Sequence, residues 1–221
     1  MFVRDRMTPS PVTITPKTPF QDALKTMQEH GFRRLPVVDD TGKLIGIVAE
    51  RDLLYASPSP ATSLSIWELN YLLSKLKIER LMTKNVVTTT PDALIEDAAC
   101  LMVEHKIGAL PVVDQDNHVV GIITETDIFK SFVNVYRGDR SGLRLTLKVP
   151  DRKGVLAELS QAIFDMDGDI VSISSFYNEK TDDYGLVIKV KGIGKDQLID
   201  KIEALGDQVI DAREVEYPVC L

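Results

Sequence analysis

Gly121-Ile-Ile-Thr-Glu-Thr-Asp127 (GIITETD) decides how this chain is read, because Gly46-Ile-Val-Ala-Glu-Arg-Asp52 (GIVAERD) nearly repeats it. In the later copy, three apolar or β-branched residues after a glycine spell a short buried strand. Thr124 and Asp127 stand three apart, where that strand turns into a helix. A threonine there caps the helix and keeps its hydroxyl beside free backbone N–H groups, a place where anions bind well. Asp127, about one turn further on, can accept hydrogen bonds from the paired hydroxyls of a ribose. Phosphate on one side and ribose on the other make a nucleotide site. Capped strand-to-helix junctions are common, so the surroundings must carry the reading.

Shifting the chain by 75 residues lays Val3–Leu54 over Ile78–Phe129 without a gap and with about twenty identities. Met7-Thr8 meets Met82-Thr83, Pro16 meets Pro91, and Glu29-His30 meets Glu104-His105. Leu35-Pro-Val-Val-Asp39 meets Leu110-Pro-Val-Val-Asp114, and Glu50 and Asp52 meet Glu125 and Asp127. This is an internal duplication. Each copy reads as a β-rich run (Val12–Thr15; Val86–Thr90), a helix (Ala23, Leu24, Met27; Ala98, Leu101, Met102), two strands about a polar turn, and a short helix. A β-α-β-β-α module of about 55 residues is small for independent stability, so two copies should pack sheet to sheet with a ligand cleft between them.

The series Met-Thr, Thr-x-Pro, Leu-Pro-Val-Val-Asp and Gly-Ile-x-Thr-x-x-Asp, spread over residues 3–130, resembles a tandem pair of CBS domains, a Bateman module. The resemblance implies an adenosine nucleotide (AMP, ADP or ATP), or NAD or S-adenosylmethionine, between the repeats. It places phosphate and ribose contacts on Thr124 and Asp127, with Val86, Val87, Ala109, Leu110 and Pro111 lining the base. The small pair Gly108-Ala109 leaves room for a flat ring.

The first copy departs from the pattern. Ala49 replaces the threonine, and Arg33-Arg34 stand where the later copy has Gly108-Ala109. Two readings of the arginines stay open: they crowd their own pocket, or they reach toward phosphates at the other site. Losing one charge-assisted hydrogen bond costs on the order of 1.5–3 kcal/mol, roughly ten- to a hundred-fold in affinity. The expectation is one good site, at Thr124 and Asp127, and one weak or empty site, at Asp52, Arg34 and Pro36.

Between the copies, Ser63 or Ser65 caps a helix with Ile66, Leu69, Leu72, Leu73 and Leu76 on one stripe and Trp67 and Tyr71 beside it. The aromatic pair packs into the core or forms part of a dimer contact. This bridge and the domain order resemble acetoin-utilisation AcuB-type proteins.

After Phe132 the repeat stops. A polar linker (Arg137–Gly142) precedes an alternating strand (Leu143–Val149), an amphipathic helix with Val155, Leu156, Leu159, Ile163 and Met166 on its apolar side, strands at Ile170–Phe176 and Tyr184–Val190, a helix at Lys195–Leu205 and a strand at Ala212–Tyr217. The order β-α-β-β-α-β is ferredoxin-like. The Asp-Arg-x-Gly-Val-Leu-Ala-Glu-Leu-Ser start, followed by a Gly-Asp-Ile turn, resembles an ACT domain. That implies a small-metabolite or amino-acid site at Asp151, Lys153, Gly154, Val155 and Leu156, facing Gly168, Asp169 and Ile170. Gly154 permits close backbone approach, the helix start suits a carboxylate, and Asp151 can take an ammonium or merely cap the helix. Many ACT domains serve only as dimer contacts.

The fold class is therefore α+β: CBS domain 1 at 1–57, a linker with helix at 58–77, CBS domain 2 at 78–135, a linker at 136–142 and an ACT domain at 143–221. A net charge of −7 and pI near 5.1 argue against nucleic-acid or anionic-membrane partners. No run of about 18 apolar residues spans a membrane, and the N-terminus lacks a signal-peptide core, which places the protein in the cytoplasm. Cys100 falls in an apolar helical pattern and reads as a core residue. Asp165–Asp169 lacks the spacing of a calcium loop, no metal site is expected, and no nucleophile elbow, P-loop or zinc-protease motif occurs.

Two function classes follow. One is a non-catalytic sensor, a homodimer as both family resemblances imply, that allosterically regulates an unidentified metabolic partner. The other is a nucleotide-processing enzyme, which needs a positioned base that only Glu125 and Glu50 could supply. A purely structural dimerisation module is the third reading.

Overall fold

The computed structural model describes residues 1–56, 68, 75–136, 140–179 and 182–216. The capping serines, Trp67, Tyr71 and most of the expected linker stripe lie outside the described residues. The chain divides into two compact units, Met1–Phe129 and Lys130–Leu221.

In the first unit each copy builds the same parts. Helix α1 (Phe20–His30) buries Phe20, Ala23 and Met27, and its counterpart α3 (Ile95–His105) buries Ile95, Ala98 and Met102. That spacing puts one stripe of each helix on the core. Cys100 lies off the stripe and is exposed, so the expectation of a core cysteine is corrected. Helix α1 ends at Gly31 in the left-handed region (φ 67°), where glycine has no Cβ penalty. Helix α3 ends the same way at Lys106 (φ 54°).

A hairpin follows each helix. Strand β2 (Arg34–Val38) pairs antiparallel with β3 (Leu44–Ala49), and β4 (Ala109–Val113) with β5 (Val119–Thr124). Each hairpin carries a register shift at the matching place, Val37/Val38 and Val112/Val113. At the turns, Asp39 accepts the N–H groups of Thr41 (2.8 Å) and Lys43 (3.0 Å), and Asp114 those of Asp116 (3.0 Å) and His118 (2.8 Å). The Thr41 hydroxyl, which also donates to Asp39 (2.7 Å), and these N–H bonds hold the Asp39 carboxyl below its ordinary range, and the N–H groups of His118 and Asp116 do the same for Asp114. Short helices α2 (Glu50–Ala56) and α4 (Glu125–Val135) leave β3 and β5.

The copies exchange their leading segments. Strand β1 (Thr8–Pro9) pairs with β5 of the other copy, Thr8 opposite Ile122, and Thr83 bridges to Ile47 of β3 in the same way. Val3 N–H donates to the Ala93 carbonyl (2.9 Å), and Ile78 N–H to the Thr18 carbonyl (3.1 Å). Val3 consequently packs in the core of Ala98, Met102, Leu110 and Ile123, while Ile78 packs with Phe20, Met27, Leu35 and Val48. Glycine at 121 and 46 is explained here. A Cβ on Gly121 would meet Met7 Sδ, and one on Gly46 would lie 2.6 Å from Met82 Sδ. Each copy's methionine lies on the other copy's strand glycine.

The second unit has four antiparallel strands in the order β7-β8-β6-β9, with β6 Gly142–Val149, β7 Asp169–Asn178, β8 Asp183–Lys191 and β9 Gln208–Val215. Helices α5 (Val155–Asp165) and α6 (Lys195–Ala204) complete the ferredoxin-like order. Leu143, Leu145, Leu147 and Val149 alternate inward from β6 and meet Leu159, Ile163, Leu198 and Ile202. Leu156, expected on the apolar side of α5, is half exposed instead, and Ala162 is buried. Strand β9 starts at Gln208, ahead of the expected Ala212.

Candidate functional site

The exchange of leading segments dictates how the repeat's residues are grouped. Among the described residues two clefts take their walls from both copies. The larger, about 810 Å³, draws Val86, Val87, Ile107, Gly108 and Ala109 from the later copy and Ile47, Ala49 and Asp52 from the earlier. The smaller, about 210 Å³, draws Thr8, Pro11, Val12, Phe32, Arg33 and Arg34 from the earlier copy and Ile122, Thr124 and Glu125 from the later. Ligand pockets commonly measure about 300–1,000 Å³, so only the larger falls in that range.

This corrects the expected grouping. Thr124 lines the smaller cleft, whereas Val86, Val87 and Ala109, the last its cross-strand partner in the hairpin, line the larger. Leu110 is fully buried in the core, and Pro111 and Pro36 are buried in their hairpins; none of the three lines either cleft. The aspartate that does face Val86, Val87 and Ala109 is Asp52, from the copy whose threonine is missing.

Thr124 and Asp127 hold one another. Asp127 Oδ2 accepts the Thr124 N–H (2.9 Å) and the Thr124 hydroxyl (2.7 Å), and the Asp127 N–H points back at Thr124 Oγ1 (3.4 Å). This reciprocal pattern is a capping box at the start of α4. In the earlier copy Asp52 Oδ2 accepts the Ala49 N–H at 3.2 Å. Alanine has no hydroxyl for the carboxylate to hold, so Asp52 carries fewer local bonds than Asp127.

In the larger cleft an apolar slot formed by Val86, Val87, Ile107 and Ala109 lies beside Thr83, Asn85 and the Asp52 carboxylate. Arg33, Arg34, Arg51 and Lys106 supply positive charge, against Glu50, Asp52 and Glu125. Arg34 is half-buried. Burial pulls its pKa below the ordinary value, the Glu125 carboxylate opposes this, Arg33 and Arg51 add to the lowering, and Asp52 opposes it. The pattern marks where these five side chains converge. Such a site can hold a flat apolar ring, a vicinal diol at Asp52 and an anion at the arginines.

The second unit's candidate residues lie around the starts of α5 and β7. Gly154 is the N-cap of α5 with φ 94°, so its lack of a side chain is a backbone requirement, and no side chain caps this helix. The capping alternative for Asp151 is thereby set aside. Asp151 and Lys153 are exposed, Val155 is buried in the core, Leu156 is half exposed, Asp169 is exposed and Ile170 packs against the core. Gly168 is there for packing, since a Cβ would run into Ile193 and Ile163. Sequence reading missed the loop's main fastening. Arg152 grips Glu158 through two bonds, Nη1 to Oε1 (2.9 Å) and Nη2 to Oε2 (2.5 Å). Their separation of six residues matches no helical pairing rule, which is why no signal was visible.

Comparison with known proteins agrees with this architecture. The chain belongs to the CBS-domain family: the CBS domain profile matches residues 3–59 and 78–134, and a TTHA0829-like ACT domain profile matches 141–213. Among solved structures, the CBS domain pair of protein MJ0100, in complex with 5-methylthioadenosine and S-adenosyl-L-methionine, is 32% identical over 61% of this chain and 97% of that one (TM-score 0.51). CBSX2 in complex with AMP is 33% identical over 61% and 97% (0.51). The AcuB protein of Vibrio cholerae, named for acetoin utilization, is 33% identical over 63% and 95% (0.52). Curated relatives from Methanocaldococcus jannaschii match 59% of this chain at 34% and 32% identity, but the chain spans only 46% and 23% of their lengths. No helix among the described residues is long and apolar enough to cross a membrane, and no group of three metal-ligating side chains occurs among them.

Proposed function

We propose that this protein is a non-catalytic sensor whose CBS pair binds an adenosine nucleotide in the larger cleft. One observation carries this reading: Asp52, the apolar residues Val86, Val87 and Ala109, and the arginines Arg33, Arg34 and Arg51 line one and the same cleft. Adenine fills the slot, the ribose diol meets Asp52, and the phosphate end faces the arginines. The AMP and S-adenosylmethionine complexes of the similar CBS pairs support the ligand class. The ACT loop at Asp151–Leu156, with Asp169 and Ile170, takes an amino acid or other small metabolite. Occupancy at either place biases the activity of a metabolic partner, by coupling of order 1–3 kcal/mol. The protein works as a homodimer in the cytoplasm, and likeness to AcuB supports a partner in acetoin or related carbon metabolism.

Thermal melts with AMP, ADP, ATP and S-adenosylmethionine test the reading. A ligand at a hundred times its Kd adds about 2.7 kcal/mol, enough to raise the melting temperature by several degrees. Melts unmoved by every adenosine compound overturn it. Incubation with ATP and Mg²⁺ separates sensor from enzyme, because turnover above background contradicts the non-catalytic part.

A further inference from the structure

We propose that Arg33 and Arg34 occupy the smaller cleft and turn their charge to the larger one, so that the CBS pair takes a single adenosine nucleotide bearing a phosphate chain in preference to an uncharged or sulfonium adenosyl compound. This rests on the reading of the larger cleft given above and specifies its ligand. The two clefts share one wall. Arg33, Arg34, Gly108 and Glu125 line both.

The repeat explains how that wall arises. Arg33 and Arg34 occupy the positions of Gly108 and Ala109, which open the larger cleft to a ring. In the smaller cleft the same positions carry two long side chains, and the remaining space, about 210 Å³, is too small for a nucleotide. The arginines are not spent there. Arg34 Nη2 and Glu125 Oε2 each come within 2.8 Å of where a Cβ on Gly108 would lie. Glycine at 108 therefore clears the passage through which Arg34 meets the larger cleft. Arg51 and Lys106 line that cleft too.

A guanidinium binds phosphate through two parallel charge-assisted bonds, whereas a sulfonium facing it is repelled. A neutral thioether neither gains nor loses there. The cleft should thus grade adenosyl ligands by the negative charge they carry.

Calorimetry on the full chain with adenosine, ADP, ATP and S-adenosylmethionine tests this. The wild type should bind one ADP per chain, roughly ten- to a hundred-fold more tightly than adenosine, with S-adenosylmethionine weakest. ADP affinity should fall as salt rises. Arg34→Gln, close in shape, should cost ADP at least about ten-fold and leave adenosine unchanged. The double variant Arg33→Gly/Arg34→Ala copies the later repeat, and should lose the preference for phosphate while opening a second adenosine site beside Thr124. Equal wild-type affinity for ADP and adenosine overturns the proposal and leaves the nucleotide reading standing. Two ADP per wild-type chain also overturns it. If no adenosine compound binds the wild type, the underlying reading falls with it.

Discussion

Asp207 is 5% exposed, and its Oδ1 has no hydrogen-bond partner among the described residues. Burial raises its pKa, Arg152 opposes the rise, and Glu158 adds to it. Because the folded value lies above the unfolded one, near 3.9, the charged carboxylate costs stability above the folded pKa, and that cost fades as pH falls through both values. Asp207→Asn should therefore raise the melting temperature at pH 7 and have no such effect at pH 3. A variant that melts lower at pH 7 would show that the carboxylate is stabilising. At Gly168, by contrast, space decides. A Cβ would overlap Ile193 and Ile163, so Gly168→Ala should cost about 1–3 kcal/mol in urea melts of the second unit. Residue types were the most legible level of the sequence. Thr124 and Asp127 stood out as a pair and do bond one another. What could not be read was which cleft Thr124 lines, since that depends on a segment more than a hundred residues away.

At the scale of elements, period was a dependable guide. Leu143, Leu145, Leu147 and Val149 alternate into the core as the spelling LRLTLKV requires. The helical stripes of α1 and α3 were equally plain, though Cys100 shows that a single apolar residue near a stripe does not join it. Helix ends were harder. Gly31 signals a left-handed stop, but its counterpart Lys106 adopts the same conformation without the residue that favours it. Lys106 lines the larger cleft, so its backbone strain sits at the proposed site. Lys106→Gly should relieve that strain and stabilise the first unit by roughly 1 kcal/mol in chemical denaturation. Unchanged or lower stability would mean that the Lys106 side chain contributes more than its backbone costs.

For the first unit taken whole, the duplication revealed two equivalent modules but hid their exchange of leading segments. Pairing of Thr8 with Ile122 and of Thr83 with Ile47 satisfies the same hydrophobic pattern as pairing within a copy would. Composition and period cannot tell these apart. The exchange has a measurable signature. Ile78 belongs by sequence to the later copy but is fully buried in the core of the earlier one. Ile78→Ala should cost about 2–5 kcal/mol, and hydrogen exchange should rise in α1 and β2 more than in α3 and β4. The reverse pattern would refute the exchange.

The nucleotide is proposed to occupy the larger cleft, and the two aspartates report on that assignment separately. Calorimetric titration of ADP into Asp52→Ala and Asp127→Ala, beside the wild type, compares them directly. Asp52→Ala should weaken binding ten-fold or more, on the scale of about 1.5–3 kcal/mol for a charged hydrogen bond, while Asp127→Ala leaves it within about three-fold. Loss of binding in Asp127→Ala with Asp52→Ala unaffected would put the ligand beside Thr124 and contradict the assignment to the larger cleft.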